Sequence, residues 1–110
     1  MATQFVPITA LDEFERLREQ SAEAPVLIFK HDTTCSISAA AHRQLSQFDG
    51  DIPLIDVGRE RGLSLEVARR TGVRHESPQV IVLRDGAAAW SASHYDITAE
   101  AVSGALADAP

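Results

Sequence analysis

The chain has 110 residues, 45% of them hydrophobic and 24% charged, an ordinary balance for one globular domain over residues 1–110 and too apolar for a disordered chain. A formal net charge of −6 argues against a nucleic-acid partner, and no apolar run approaches the roughly 20 residues of a membrane span. A single cysteine, Cys35, excludes an internal disulfide framework and a multi-cysteine zinc site; the start of the chain lacks the basic and apolar parts of a secretory signal, so the cytosol is the expected compartment.

The first helix is expected from Thr9 to about Gln20. Thr9 is its candidate N-cap, Asp12 can answer the cap from three residues on, and Leu11, Phe14 and Leu17 share a face. After Pro25, Val26-Leu27-Ile28-Phe29 is a short continuous apolar run without helical spacing, the pattern of a strand buried on both faces. His31 to Thr34 is polar and reads as a loop. From Cys35 to Phe48 the period turns helical, with Ile37, Ala41, Leu45 and Phe48 on one stripe, and Asp49-Gly50-Asp51 closes the segment.

A second strand is predicted from Ile52 to Val57, with Pro53 near its start, where a missing N–H is tolerated. Ser64 is the candidate cap of a short helix to Thr71, with Leu65 and Ala68 turned inward and Gly72 as its C-terminal cap residue. Gln79 to Leu83 follows Pro78 as a third strand. Asp85-Gly86 signals a hairpin turn, and Ala87 to Ser93 returns antiparallel. Thr98 caps a last helix whose inner stripe is Val102, Ala105 and Leu106.

This order, α-β-α-β-α-β-β-α, predicts an α/β fold with a mixed four-stranded sheet flanked by helices. Strands separated by helices should run parallel, and Val26–Phe29 should be the central strand. The expected buried set is Leu27, Ile28, Phe29, Ile37, Leu45, Ile55, Val80, Val82 and Leu106.

Cys35 carries the chemical interest. A free cysteine is most often a small buried hydrophobe. Here it stands at a loop-to-helix junction, where unpaired N–H groups and the positive end of the helix dipole favour the thiolate, which is the nucleophile. Lys30 and His31 could add positive charge if they fold back, although Lys30 could equally be a solvated strand end. Ser38, one helical turn beyond, can hydrogen-bond Cys35 but cannot form a disulfide with it. Thr33 and Thr34 read as loop-shaping hydroxyls, with Thr34 directly before the sulfur. His31, His42, His75 and His94 show no metal-ligand spacing, so no metal is expected. Of the four, only His31 is expected near the chemistry, and His94 should brace the end of the hairpin.

The turn Thr34-Cys35-Ser36-Ile37-Ser38 resembles the redox-active turn of thioredoxin-like proteins, with serine where a dithiol member has its second cysteine. Phe29-Lys30-His31, Thr33-Thr34-Cys35, Ile37-Ser38, His75-Glu76-Ser77-Pro78-Gln79 and Ser93-His94-Tyr95-Asp96-Ile97-Thr98 together resemble the monothiol bacilliredoxin family over nearly the whole chain. Ser36 departs from that pattern, in which proline is more typical. The resemblance implies a thioredoxin-like fold, an active Cys35, and a cis Ser77–Pro78 bond facing it. Ser77 would then offer backbone groups to an extended substrate. It further implies bacillithiolated proteins as partners and bacillithiol, or a similar low-molecular-weight thiol, as co-substrate, with no bound cofactor. The expected activity is monothiol thiol–disulfide exchange that removes that thiol from protein mixed disulfides. Because a resolving cysteine is absent, a non-catalytic thioredoxin-like binding module is the competing reading.

Overall fold

The computed structural model describes residues 2–107. Five strands form one sheet in the order β1-β3-β2-β4-β5. The elements are β1 (Thr3–Pro7), α1 (Leu11–Gln20), β2 (Val26–His31), α2 (Ser36–Leu45), β3 (Gly50–Asp56), α3 (Arg61–Thr71), β4 (Gln79–Arg84), β5 (Ala87–Ser93), a 3-10 turn at His94–Asp96, and α4 (Ala99–Ala107). β2 is central, parallel to β3 and antiparallel to β4, and β4 and β5 form the expected hairpin. Asp85 and Gly86 both take positive φ, 52° and 80°, as a two-residue turn with right-handed strand twist requires.

The sheet has one strand more than the sequence predicts. β1 pairs in parallel with β3, from Thr3 opposite Gly50 to Pro7 opposite Leu54. It is an edge strand of five residues ending in proline, with Phe5 and Val6 adjacent, so it lacks the alternation that marks a strand.

Side chains alternate across the sheet and divide the core in two. Leu27, Phe29, Val80 and Val82 face α2 and α4, where they meet Ala41, Leu45 and Val102. Ile28, Ile55, Ile81 and Leu83 face α1 and α3, where they meet Phe14, Leu63 and Val67. Ile37 and Leu106, expected to be buried, are only half-buried, because each lies toward an end of its helix.

Several helix boundaries differ from expectation. Ala10, not Thr9, is the N-cap of α1. The Glu13 carboxylate, rather than Asp12, accepts the backbone N–H groups of Thr9 at 3.0 Å and Ala10 at 3.1 Å. α2 stops at Leu45, leaving Phe48 outside it. α3 begins at Arg61, with Glu60 as N-cap, so Ser64 lies inside the helix and bonds the Glu60 carbonyl at 2.9 Å. The buried stripe is Leu63, Ser64 and Val67, and Leu65, expected to point inward, is 44% exposed. Gly72 ends α3 at φ 75°, and the Thr98 hydroxyl caps α4 by accepting the Ala101 N–H at 3.1 Å, both as expected.

Candidate active site

Cys35 is the N-cap residue of α2. Its extended backbone (φ −107°, ψ 126°) turns the chain into the helix, and its carbonyl accepts the Ala39 N–H at 3.0 Å. The thiol is half-buried and makes no capping hydrogen bond of its own. It therefore stands free at the helix end where first-turn N–H groups lack intrahelical acceptors. Those open N–H groups and the positive end of the helix dipole lie at the helix end that carries Cys35.

The loop before Cys35 is built by Asp32, a residue the sequence reading passed over. Its carboxylate accepts the Thr34 N–H at 3.0 Å and the Thr34 hydroxyl at 2.8 Å, and its carbonyl accepts the Cys35 N–H at 3.2 Å. The Thr34 N–H is the main cause holding the Asp32 carboxyl below its ordinary range, helped by the Thr34 hydroxyl. Thr34 thus shapes the loop, and its hydroxyl binds Asp32 rather than the sulfur. The signal was present: Asp followed two residues later by Thr is an Asx-turn pattern.

Ser38 is fully buried, and its hydroxyl is committed to the same loop. It accepts the Asp32 N–H at 2.9 Å and lies 2.6 Å from His31 Nδ1, so it does not serve Cys35 as expected. His31 is half-buried, with the Phe29 and His42 rings 5.1 and 5.2 Å away between centroids. Burial, followed by the nearby His42, lowers the His31 pKa, against the smaller opposing pull of Asp56 and Asp32. The imidazole is therefore neutral at neutral pH and orders the loop without adding positive charge.

Lys30 is neither a solvated strand end nor a neighbour of the sulfur. Strand alternation sends it to the α3 face of the sheet, opposite the face that carries α2. There its ammonium is fully buried and donates to the Ser64 carbonyl at 3.0 Å and to His75 Nδ1 at 3.1 Å. Burial pushes its pKa down to about 8.

The Ser77–Pro78 bond is cis, as the resemblance implied, and Pro78 is buried. Lys30 pairs with Gln79 across β2 and β4, which brings the start of β4 beside the end of β2, where the Cys35 loop departs. The Pro78 carbonyl accepts the His94 N–H at 3.1 Å, so His94, at φ 56°, ties the end of the hairpin to this segment. The structure thus gathers Cys35, Thr34, His31 and Ser38 into one loop and helix start, with Ser77 and Pro78 in the bend just before the neighbouring strand β4. It sends Lys30 to the opposite face, together with His75, whose partnership the sequence did not reveal.

The profile of monothiol bacilliredoxin BrxC matches residues 6–102. The chain belongs to the monothiol bacilliredoxin family. Among solved structures, it is 34% identical to a candidate oxidoreductase with a thioredoxin fold, at a TM-score of 0.85 and with 92% of each chain covered. It also resembles the Malassezia sympodialis thioredoxin (15% identity, TM-score 0.72, covering 96% of this chain and 90% of that one). The same holds for mitochondrial thioredoxin 3 of Saccharomyces cerevisiae in its oxidised form (16%, 0.72, 96% and 95%). At such identities these two speak for the fold alone, which is thioredoxin-like. As a monothiol bacilliredoxin, the chain belongs among redox proteins. Among the described residues, no helix is long and apolar enough to cross a membrane.

Proposed function

We propose that this bacilliredoxin is a monothiol thiol–disulfide oxidoreductase that removes bacillithiol, or a similar low-molecular-weight thiol, from protein mixed disulfides through Cys35. The observation that carries the reading is the chain's only cysteine standing uncapped at the N-terminus of α2. The Cys35 thiolate attacks the sulfur of the small thiol in the mixed disulfide. A new disulfide forms between Cys35 and the small thiol, the old one breaks, and the protein thiolate leaves and takes up a proton. A second small thiolate then attacks the small-thiol sulfur of that adduct, releasing Cys35 as thiolate and a symmetric small-molecule disulfide. Donors at the helix end favour the thiolate both when it attacks and when it leaves.

Ser38 supports this two-step course. It occupies the position where a dithiol relative has its resolving sulfur, and its hydroxyl is held by the loop, so release must come from an outside thiol. The Ser77 backbone beside the cis bond would align the substrate chain as an added strand. A reducing compartment such as the cytosol fits a lone exchange thiol. The test is incubation with a defined protein carrying bacillithiol. The protein thiol should be freed and the bacillithiol mass should appear on Cys35, whereas Cys35→Ser should do neither, because a serine hydroxyl does not ionise near neutral pH.

A further inference from the structure

Lys30 is the only lysine in the chain, and it is completely buried. Among the described residues, no carboxylate lies within ion-pair distance of it. A buried cation without a counter-ion is costly, and an apolar side chain of the same volume would fill the space without that cost. What the ammonium supplies instead is direction. One N–H is aimed at α3 through the Ser64 carbonyl, and another at His75, three residues before Pro78. Burial first, then the charge of Lys30, lower the His75 pKa, with Arg61 adding to the effect and Glu76 opposing it. An ammonium has donors and no acceptor, so in this contact the lysine donates and His75 Nδ1 accepts.

Two further buried polar atoms lie in the segment that follows His75. Gln79, opposite Lys30 in the β2–β4 register, donates Nε2 to the Arg74 carbonyl at 2.9 Å, while its Oε1 is buried without a partner. The Ser77 hydroxyl is likewise buried and unpartnered. The segment from Arg74 to Gln79 is thus held from beneath, at the Arg74 carbonyl and the His75 ring, by side chains rooted in β2 and β4.

We propose that Lys30 is a positioning residue for exchange at Cys35, acting through His75 to fix the Ser77–Pro78 edge on which the substrate chain is aligned. The proposal rests on the function proposed above for Cys35 and adds the residue that sets the docking edge. Lys30 touches no reacting atom. Its effect should therefore fall on substrate engagement and spare the intrinsic reactivity of the thiol.

The experiment compares wild type with Lys30→Met, His75→Ala and His75→Gln. The substrate is a short peptide carrying bacillithiol on its cysteine, and iodoacetamide serves as a probe too small to use the docking edge. Lys30→Met and His75→Ala should raise KM about tenfold with kcat changed less than about twofold, and leave Cys35 alkylation within about twofold of wild type. His75→Gln, whose Oε1 can accept the Lys30 N–H, should restore KM. Since Lys30→Met could fail to fold, the His75 pair decides the result by itself. An unchanged KM in His75→Ala, a parallel loss of alkylation, or a His75→Gln no better than His75→Ala would overturn the proposal. Amide exchange without substrate separates the two ideas. In His75→Ala the His94 N–H, bonded to the Pro78 carbonyl at 3.1 Å, should exchange about tenfold faster while the Leu27 and Val82 amides stay unchanged. Unaltered His94 exchange sinks the clamp whatever the activity. A wild type that leaves the peptide untouched sinks the exchange function, and faster His94 exchange would still support the clamp.

Discussion

At the scale of single residues, the strand alternation of β2 decides what surrounds the sulfur. Phe29 and His31 go to the α2 side, while Ile28 and Lys30 go to the α3 side. That alternation was legible in the sequence and would have removed Lys30 from the vicinity of Cys35. The partners it found there, Ser64 and His75, lie 34 and 45 residues away and could not be read locally. Ser38 presents the reverse case. Its place one turn beyond Cys35 was legible, but a hydroxyl can bond in several directions, and only the folded loop shows that it binds Asp32 and His31. Replacing it should therefore injure the loop before the chemistry. Ser38→Ala leaves the Asp32 N–H without its acceptor and is expected to cost about 1–3 kcal/mol in denaturant unfolding. Ser38→Cys has a different outcome: residues three apart share a helix face, so oxidation should give an intramolecular disulfide with Cys35, seen as the loss of two hydrogens by mass.

Among the elements, those with a long periodic or apolar signature were legible and those defined by distant pairing were not. β2, β4 and the β4–β5 hairpin announce themselves through apolar runs and the Asp85-Gly86 turn. β1 takes its hydrogen bonds from β3, more than forty residues on, so only the assembled sheet reveals it. α3 shows that facing is set by packing against the sheet and not by the helix boundary: its inward stripe includes Leu63 and Val67 and leaves Leu65 exposed. This phasing makes a paired prediction. Leu63→Ala should destabilise by about 2–5 kcal/mol as a buried truncation, whereas Leu65→Ala should stay within about 0.5 kcal/mol. Equal losses in thermal or denaturant unfolding would contradict the observed rotation of the helix.

For the whole molecule, buried titratable groups on both faces of the sheet make stability depend on pH in two windows. Below about pH 8, Lys30 is charged in the folded and unfolded chains alike, so the cost of burying it is fully present. Between about 8 and 10.5 the unfolded chain keeps a proton that the folded chain has released, and stability rises with pH. Lys30→Met should flatten that rise in denaturant midpoints measured across the same range. His31 and His75, both lowered by burial, act below their usual 6.5. There the unfolded chain binds protons first, so stability falls as pH drops. A wild type whose stability declined steadily from pH 8 to 10 while Lys30→Met did not would contradict the buried, charged lysine. The architecture joins these two faces to one thiol at the end of the central strand's loop. Mass spectrometry of the intact chain after mixing with a bacillithiolated protein tests that arrangement most directly. The account predicts transfer of the bacillithiol mass onto Cys35, with release of the partner's free thiol and later clearance by added bacillithiol. A wild-type chain that binds the modified protein yet acquires no mass, and leaves the partner's disulfide intact, would contradict it.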